Sequence, residues 1–309
     1  MPVLGGVAIF IGFMVTVLHR VGLGRDLLGL LVGSAIIFAM GVRDDIRELR
    51  PLPKFAGQIA AALVAVYLGV RIEFVTNPFG PGMIYLGWWG APVTFFWILA
   101  LTNVVNFLDG LDGLAAGVSS IAAFALFSVA AARGQVFAAT LAIALAGSAV
   151  GFLPFNFNPA KIFMGDAGAM LLGFAIAVIS VEGALKGAAT IALAIPMFAL
   201  GVPIIDTAFA IARRMHNGTP FYQADRGHIH HRLLARGFSH RGAVVLIYLV
   251  SGVLASFAVM MARVHVAATA YLAVVIVLGA LLAGVGRSGR THPRATGSTG
   301  STGTQAHHR

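Results

Sequence analysis

The chain has 309 residues, 59% of them hydrophobic and only 10% charged, with a mean hydropathy of +0.90. A soluble domain carries about 25% charged residues, so these figures exclude an ordinary water-soluble fold and describe an all-α polytopic membrane protein with no second soluble domain. Cysteine is absent, which excludes disulfides and thiolate metal sites, and the net charge of +10 lies mostly in short loops beside apolar segments rather than in a nucleic-acid-binding patch.

Ten apolar stretches read as membrane spans: 3–18, 27–42, 55–70, 91–105, 115–132, 136–153, 168–182, 188–205, 242–262 and 266–285. No Lys or Arg precedes the first and no small-residue cleavage site follows it, so it is a helix rather than a signal peptide. Alternating spans put 43–54, 106–114, 154–167, 206–241 and the tail from 286 on one side, which holds 15 of the 21 Lys and Arg, against six on the other. That excess assigns the first side to the cytoplasm. Seven of the eight Asp fall on or beside the same face, with only Asp26 opposite. Acids contribute little to topology, so their clustering points to a cytoplasmic-face site. On the outer side, loop 71–90 reads as a turn-rich hairpin with Trp88 and Trp89 as interfacial anchors. The transmembrane unit is expected over 1–286, and the Gly-, Ser- and Thr-rich 287–309 is expected to be a disordered tail.

Four stretches carry polar chemistry. The second span closes in GVRDDIRELRPLPK, where the adjacent Asp44 and Asp45 repel unless a cation or proton intervenes. Surface charges in a hydrated turn are the plain alternative. In LTNVVNFLDGLDGLAAG, Asp109 and Asp112 follow Asn103 and Asn106, and glycines after each acid leave room for a ligand to approach the backbone. A solvated turn between helices is the plain alternative there. FLPFNFNPAKIFMGDAG places Asn156, Asn158 and Lys161 in a polar loop before Asp166, either a helix cap or a hard metal ligand. Phe163 is either core packing or a platform for a base. In loop 206–241, His228, His230 and His231 stand among Asp225, Arg226, Arg232 and Arg236, and the arginines favour a phosphate or pyrophosphate over a cation. The set suits phosphoryl transfer from a soluble phosphorylated donor to a lipid phosphate, with the scattered acids meeting around one divalent ion.

Together, NVVNFLDGLDGLAAG, the Asp44-Asp45 pair followed by Leu49 and Lys54, NFNPAKIFMGDAG and DRGHIHHRLL resemble the polyprenyl-phosphate N-acetylhexosamine-1-phosphate transferases. The four motifs occur in that family's order and spacing over residues 2–285. The His-Ile-His-His form is similar to the branch that starts O-antigen, teichoic acid and related envelope polymers. The sister branch, which transfers phospho-N-acetylmuramoyl-pentapeptide, carries a three-histidine run that is absent here. The resemblance implies that UDP-N-acetylglucosamine and undecaprenyl or decaprenyl phosphate give the lipid-pyrophosphate sugar and UMP at the bacterial cytoplasmic membrane. It further implies Mg2+, with Mn2+ as a substitute, held by Asp166, and Asp44 as the base with Asp45 beside it. Asn106, Asp109 and Asp112 correspond to the nucleotide and pyrophosphate set, and Phe163 to the residue stacking on uracil. Lys54 and Asn156 correspond to polar positions near the substrates, and His228, His230 and His231 to contacts with donor phosphates. A homodimer is the oligomer considered. The chain opens MPVLGG, retaining Pro2, Gly5 and Gly6 of a Pro-Arg-x-Gly-Gly motif with Val3 in place of arginine, so it is expected to start downstream of the family's first helix. An ion-coupled secondary transporter is the rival from another class, and its acids would sit inside broken spans near the midplane.

Overall fold

The computed structural model describes residues 4–21, 24–77, 82–184, 189–216 and 228–262. Span 266–285, the tail, Asp225 and Arg226 lie outside the described residues. Helices α1 (Gly5–Arg20), α2 (Arg25–Ile46) and α3 (Pro51–Tyr67) are followed by a two-stranded antiparallel hairpin, β1 (Phe74–Thr76) and β2 (Met83–Tyr85), in which Val75 faces Ile84. Helices α4 (Gly90–Leu108), α5 (Leu114–Ala132), α6 (Val136–Asn156), α7 (Gly165–Ala184), α8 (Ala189–Ala199), α9 (Gly201–His216), α10 (Ile229–Ala235) and α11 (His240–Met261) complete the order.

Among the described residues six helices are long and apolar enough to cross a membrane, or seven if the bent α8–α9 pair counts as one span. This is the architecture of an all-α, multi-pass membrane protein. α7 is the axis of the bundle. Its Gly165–Gly183 stretch is 89% buried, against 39% for Leu27–Ile46 of α2. Small residues allow this enclosure, because they let helix backbones meet without a side chain between them. A Cβ at Gly41 of α2 would lie 2.3 Å from the Ala167 backbone of α7, so only glycine admits that crossing. The hairpin stands at the opposite end from the start of α3, with Trp88 and Trp89 stacked at 4.2 Å and largely exposed.

Two sequence expectations are corrected here. The span expected at 188–205 is not one helix: α8 and α9 meet at a 74° bend. Pro203 has no N–H to give to the carbonyl of Ala199, so the ladder cannot continue through it. The segment expected as loop 206–241 is also partly helical: α9 runs on to His216, α10 spans Ile229–Ala235 and α11 begins at His240.

Candidate functional site

The Gly41–Ala167 crossing sets the last turn of α2 against the first turn of α7. There Asp45 acts as a cap supplied by another helix: Oδ1 accepts the Asp166 N–H at 2.7 Å and Oδ2 the Ala167 N–H at 3.1 Å. A helix N-terminus presents unpaired N–H groups and a partial positive charge, which is why a carboxylate is held there. Asp44 points to the other side. Its Oδ1 accepts the Leu49 N–H at 2.6 Å, and its Oδ2 lies 3.0 Å from Lys54 Nζ. Lys54 stands one turn into α3 and reaches Asp166 Oδ2 as well, at 2.7 Å. Asn106, in the last turn of α4, donates to Asp166 Oδ1 at 2.5 Å. Four helices therefore bring Asp44, Asp45, Lys54, Asn106 and Asp166 to one point at one end of the bundle. One turn deeper, Gln58 and Asn103 hydrogen-bond at 2.8 Å and fix α3 against α4 beneath the charged layer.

Asp109 follows Asn106 at the end of α4 and is partly buried. Burial first, and then the neighbouring carboxylates of Asp166, Asp45 and Asp112, push its carboxyl up to about 7. Asp112 is turned to the 158–160 loop, where Oδ2 accepts from Asn158 Nδ2 at 2.9 Å and from the Ala160 N–H at 3.1 Å. Asn156 is only 2% exposed, and its amide is used at both ends. It accepts the Gly113 N–H and donates to the Ile162 carbonyl, each at 3.0 Å. It joins the two loops and does not face outward as a substrate contact would. Gly113 has φ +81, a conformation that favours glycine, and Tyr248 of α11 donates to its carbonyl at 2.5 Å. Phe163 is 39% exposed, open enough to meet a ligand.

The histidine run reaches this centre from the other side. His230 packs so closely on Gly110, between the two acids, that a Cβ there would lie 2.5 Å from Nε2. His230 is itself 4% exposed, and burial with His231 and His228 nearby holds its imidazole down to about 4, so it is neutral at pH 7. His228 and His230 lie parallel, 5.7 Å apart, and His231 is 4.3 Å from His230. Asp206 of α9, not singled out as a site residue from the sequence, pairs with His228 Nδ1 at 2.8 Å. The sequence counts it among the seven Asp of one face but gives no hint of its partner, because the pairing depends on the bend at α9.

The expected closure of the acids around one ion is not met as drawn. Among the described residues no three His, Asp or Glu side chains are arranged to hold a metal. The reason is visible in their partners: Asp45 is committed to α7, Asp112 to the 158–160 loop, and Asp44 and Asp166 share Lys54. The donor chemistry nevertheless fits a hard divalent cation. The groups are carboxylate oxygens, and an ammonium already lies where two of them face each other.

Fold and site together define a multi-pass membrane protein with a carboxylate, lysine and histidine centre at one end of its helices, suited to handling phosphate groups. The glycosyl transferase family 4 profile matches residues 27–184, and the chain belongs to that family. It is 39% identical over 252 residues, covering 81% of this chain and 70% of the relative, to a Bacillus subtilis protein named "Probable undecaprenyl-phosphate N-acetylglucosaminyl 1-phosphate transferase". It is 38% identical over 284 residues, 82% of this chain and 70% of the relative, to the decaprenyl-phosphate N-acetylglucosaminephosphotransferase of Mycobacterium tuberculosis. To the undecaprenyl-phosphate alpha-N-acetylglucosaminyl 1-phosphate transferase of Yersinia pestis it is 30% identical over 267 residues, 84% of this chain and 72% of the relative.

Proposed function

We propose that the protein transfers N-acetylglucosamine-1-phosphate, or a related N-acetylhexosamine phosphate, from the UDP-sugar to undecaprenyl or another polyprenyl phosphate, giving the lipid-pyrophosphate sugar and UMP. The relatives' names support the lipid phosphate acceptor and the sugar phosphate. The observation that carries the reading is the meeting of Asp44, Lys54, Asn106 and Asp166 from four helices at one end of the bundle. The loop charges support a site on the cytoplasmic side of a bacterial inner membrane, with ten spans when 266–285 is included and a transmembrane unit over 1–286.

An oxygen of the acceptor phosphate attacks the sugar-bearing phosphorus, and the bond to UMP breaks. Asp44, bound to Lys54 at the rim of the bundle, takes the proton of the acceptor phosphate. Asp45 orients the first turn of α7 and so aims Asp166. Asp109 and Asp112 frame the glycine turn that receives the pyrophosphate, and exposed Phe163 stacks on uracil. Asp166 is the residue that would hold Mg2+, which when bound would neutralise the donor pyrophosphate and the charge growing on the leaving UMP. Lys54 then moves from the carboxylates to an incoming phosphate.

Asp44, Asp45, Asp109 and Asp166 stand at helix ends rather than inside spans, which disfavours the transporter reading. The test is UMP release by the purified protein in detergent with UDP-N-acetylglucosamine, undecaprenyl phosphate and Mg2+. Release that is lost in Asp44→Asn supports the reading; equal release from both proteins overturns it.

A further inference from the structure

Three histidines crowd the site, and among the described residues only His228 has a carboxylate behind its ring. His228 is the N-cap residue of α10, and its own side chain makes no capping bond. Asp206 supplies both functions from α9: Oδ1 accepts the Ile229 N–H at 2.9 Å, and Oδ2 takes the Nδ1 edge of His228 at 2.8 Å. The side chains of His228 and Asp206 are 12% and 13% exposed, so the pair is largely withdrawn from water and its geometry is well defined. The bend between α8 and α9 makes the contact, since it turns α9, and Asp206 with it, out of the line of α8.

We propose that Asp206 is a positioning residue for His228, fixing the ring so that Nε2 is left to donate to a phosphate oxygen of the nucleotide-sugar. This rests on the reading of the histidine run as a donor-phosphate contact. The carboxylate accepts the Nδ1 proton, which commits that nitrogen and leaves Nε2 as the free edge. Negative charge behind the ring offsets the second proton that Nε2 must carry to donate to an anion, and such a charge-assisted bond is worth more than a neutral one. The contact runs on through the parallel His230 ring to Gly110. Asp206 thereby ties α9 to the turn that carries Asp109 and Asp112. His230, neutral and packed on that turn, is the spacer, and His228 is the donor.

The test uses Asp206→Asn, His228→Gln and the double variant in the full chain, with UMP release from UDP-N-acetylglucosamine as one readout. The amide oxygen introduced by Asp206→Asn still accepts the Ile229 N–H but brings no charge to the ring. Each single change is expected to lower kcat/KM for the donor about 10-fold or more. The double variant is expected to match His228→Gln within about 2-fold, because the aspartate has nothing left to act on. Equal losses from Asp206→Asn with and without His228 overturn the inference, since they show a purely structural aspartate. An active Asp206→Asn beside an impaired His228→Gln overturns it while leaving the donor-site reading intact. A fully active His228→Gln removes both. Nitrogen NMR of labelled histidine, assigned by difference with His228→Gln, reads the same point without turnover. Nδ1 protonated in the free protein, with Nε2 protonated as well once the nucleotide-sugar is bound, supports the assignment; a proton resident on Nε2 alone, or Nε2 left bare in the complex, overturns it.

Discussion

The two halves of the site solve the problem of charge in different ways. At the α2–α7 crossing every carboxylate has its own compensation: backbone amides for Asp45, an amide nitrogen and an ammonium for Asp166, the same ammonium for Asp44. In the histidine half the compensation comes from one carboxylate, Asp206, and His230 is kept neutral by burial. The first half is a preorganised acidic floor. The second is a short helix, α10, laid over it through the contact of His230 with Gly110. Catalysis that depends on a fixed field should reside in the floor, whereas donor capture should reside in the cover.

The largest effect expected from that contrast is at Asp166. Asp166→Asn should cut UMP release by about 1000-fold or more, since it removes the carboxylate that would hold a divalent ion against the reacting phosphates. A loss under 10-fold, measured at saturating substrates, would put the reactive centre elsewhere. Lys54→Met comes next. It leaves Asp44 and Asp166 facing each other with no ammonium between them, so turnover should fall about 10- to 100-fold. The variant should also gain more thermal stability from added Mg2+ than the unsubstituted protein does, a difference readable in melting curves with and without the ion. Equal gains would mean that the lysine is not standing where a cation goes.

Opposite pH slopes separate the two halves further. The Asp109 carboxyl is raised from 3.8 to about 7. Below 3.8 it is protonated in both the folded and unfolded chain, so it contributes no slope. As pH climbs toward 7 the unfolded chain gives up the proton first, so the folded state loses stability and carries the full penalty above 7. His230 is lowered from 6.5 to about 4. Its contribution is complete above 6.5 and is lost as pH falls toward 4, because the unfolded chain then binds the proton more readily. Asp109→Asn should therefore raise the melting temperature at pH 8 by about 3 °C or more relative to the unsubstituted protein. His230→Gln should flatten the acid limb instead. Matching pH profiles for all three proteins would contradict both assignments.

The acids of the floor and the three histidines of the cover were both legible in the sequence. Asp44-Asp45, the two Asp-Gly steps and Gly165-Asp166 are polar islands at the ends of apolar runs, and helix ends are where a bundle gathers its charges. Their partners were not legible. Lys54 is marked by the resemblance as a polar position near the substrates, but only the packing of α3 beside α2 and α7 places it between two carboxylates. Asn156 reads as a substrate contact because it sits in an asparagine-rich loop, but burial shows that it staples that loop to Gly113. The bend after α8 was missed because hydropathy runs smoothly through it. Pro203 acts on a hydrogen bond four residues back, which leaves no trace in the apolar pattern. The pairing of Asp206 with His228 was lost with it.

The mildest prediction asks how firmly α11 holds the two halves together. Ser239 caps that helix by accepting the Gly242 N–H at 3.1 Å. Its removal in Ser239→Ala should cost about 1 kcal/mol, most of it as fraying of the first turn. Arg241 lies in that turn and donates through Nε to the Asn158 carbonyl at 2.8 Å, whereas Tyr248 reaches Gly113 two turns further in. Fraying would therefore loosen the support of the 158–160 loop, and with it Asp112, before it disturbs Gly113. Hydrogen exchange should show faster exchange at the Ala160 N–H in Ser239→Ala with the Gly113 N–H unchanged. If both quicken equally, the two loops move as one body and Arg241 is not a separate support for the 158–160 loop.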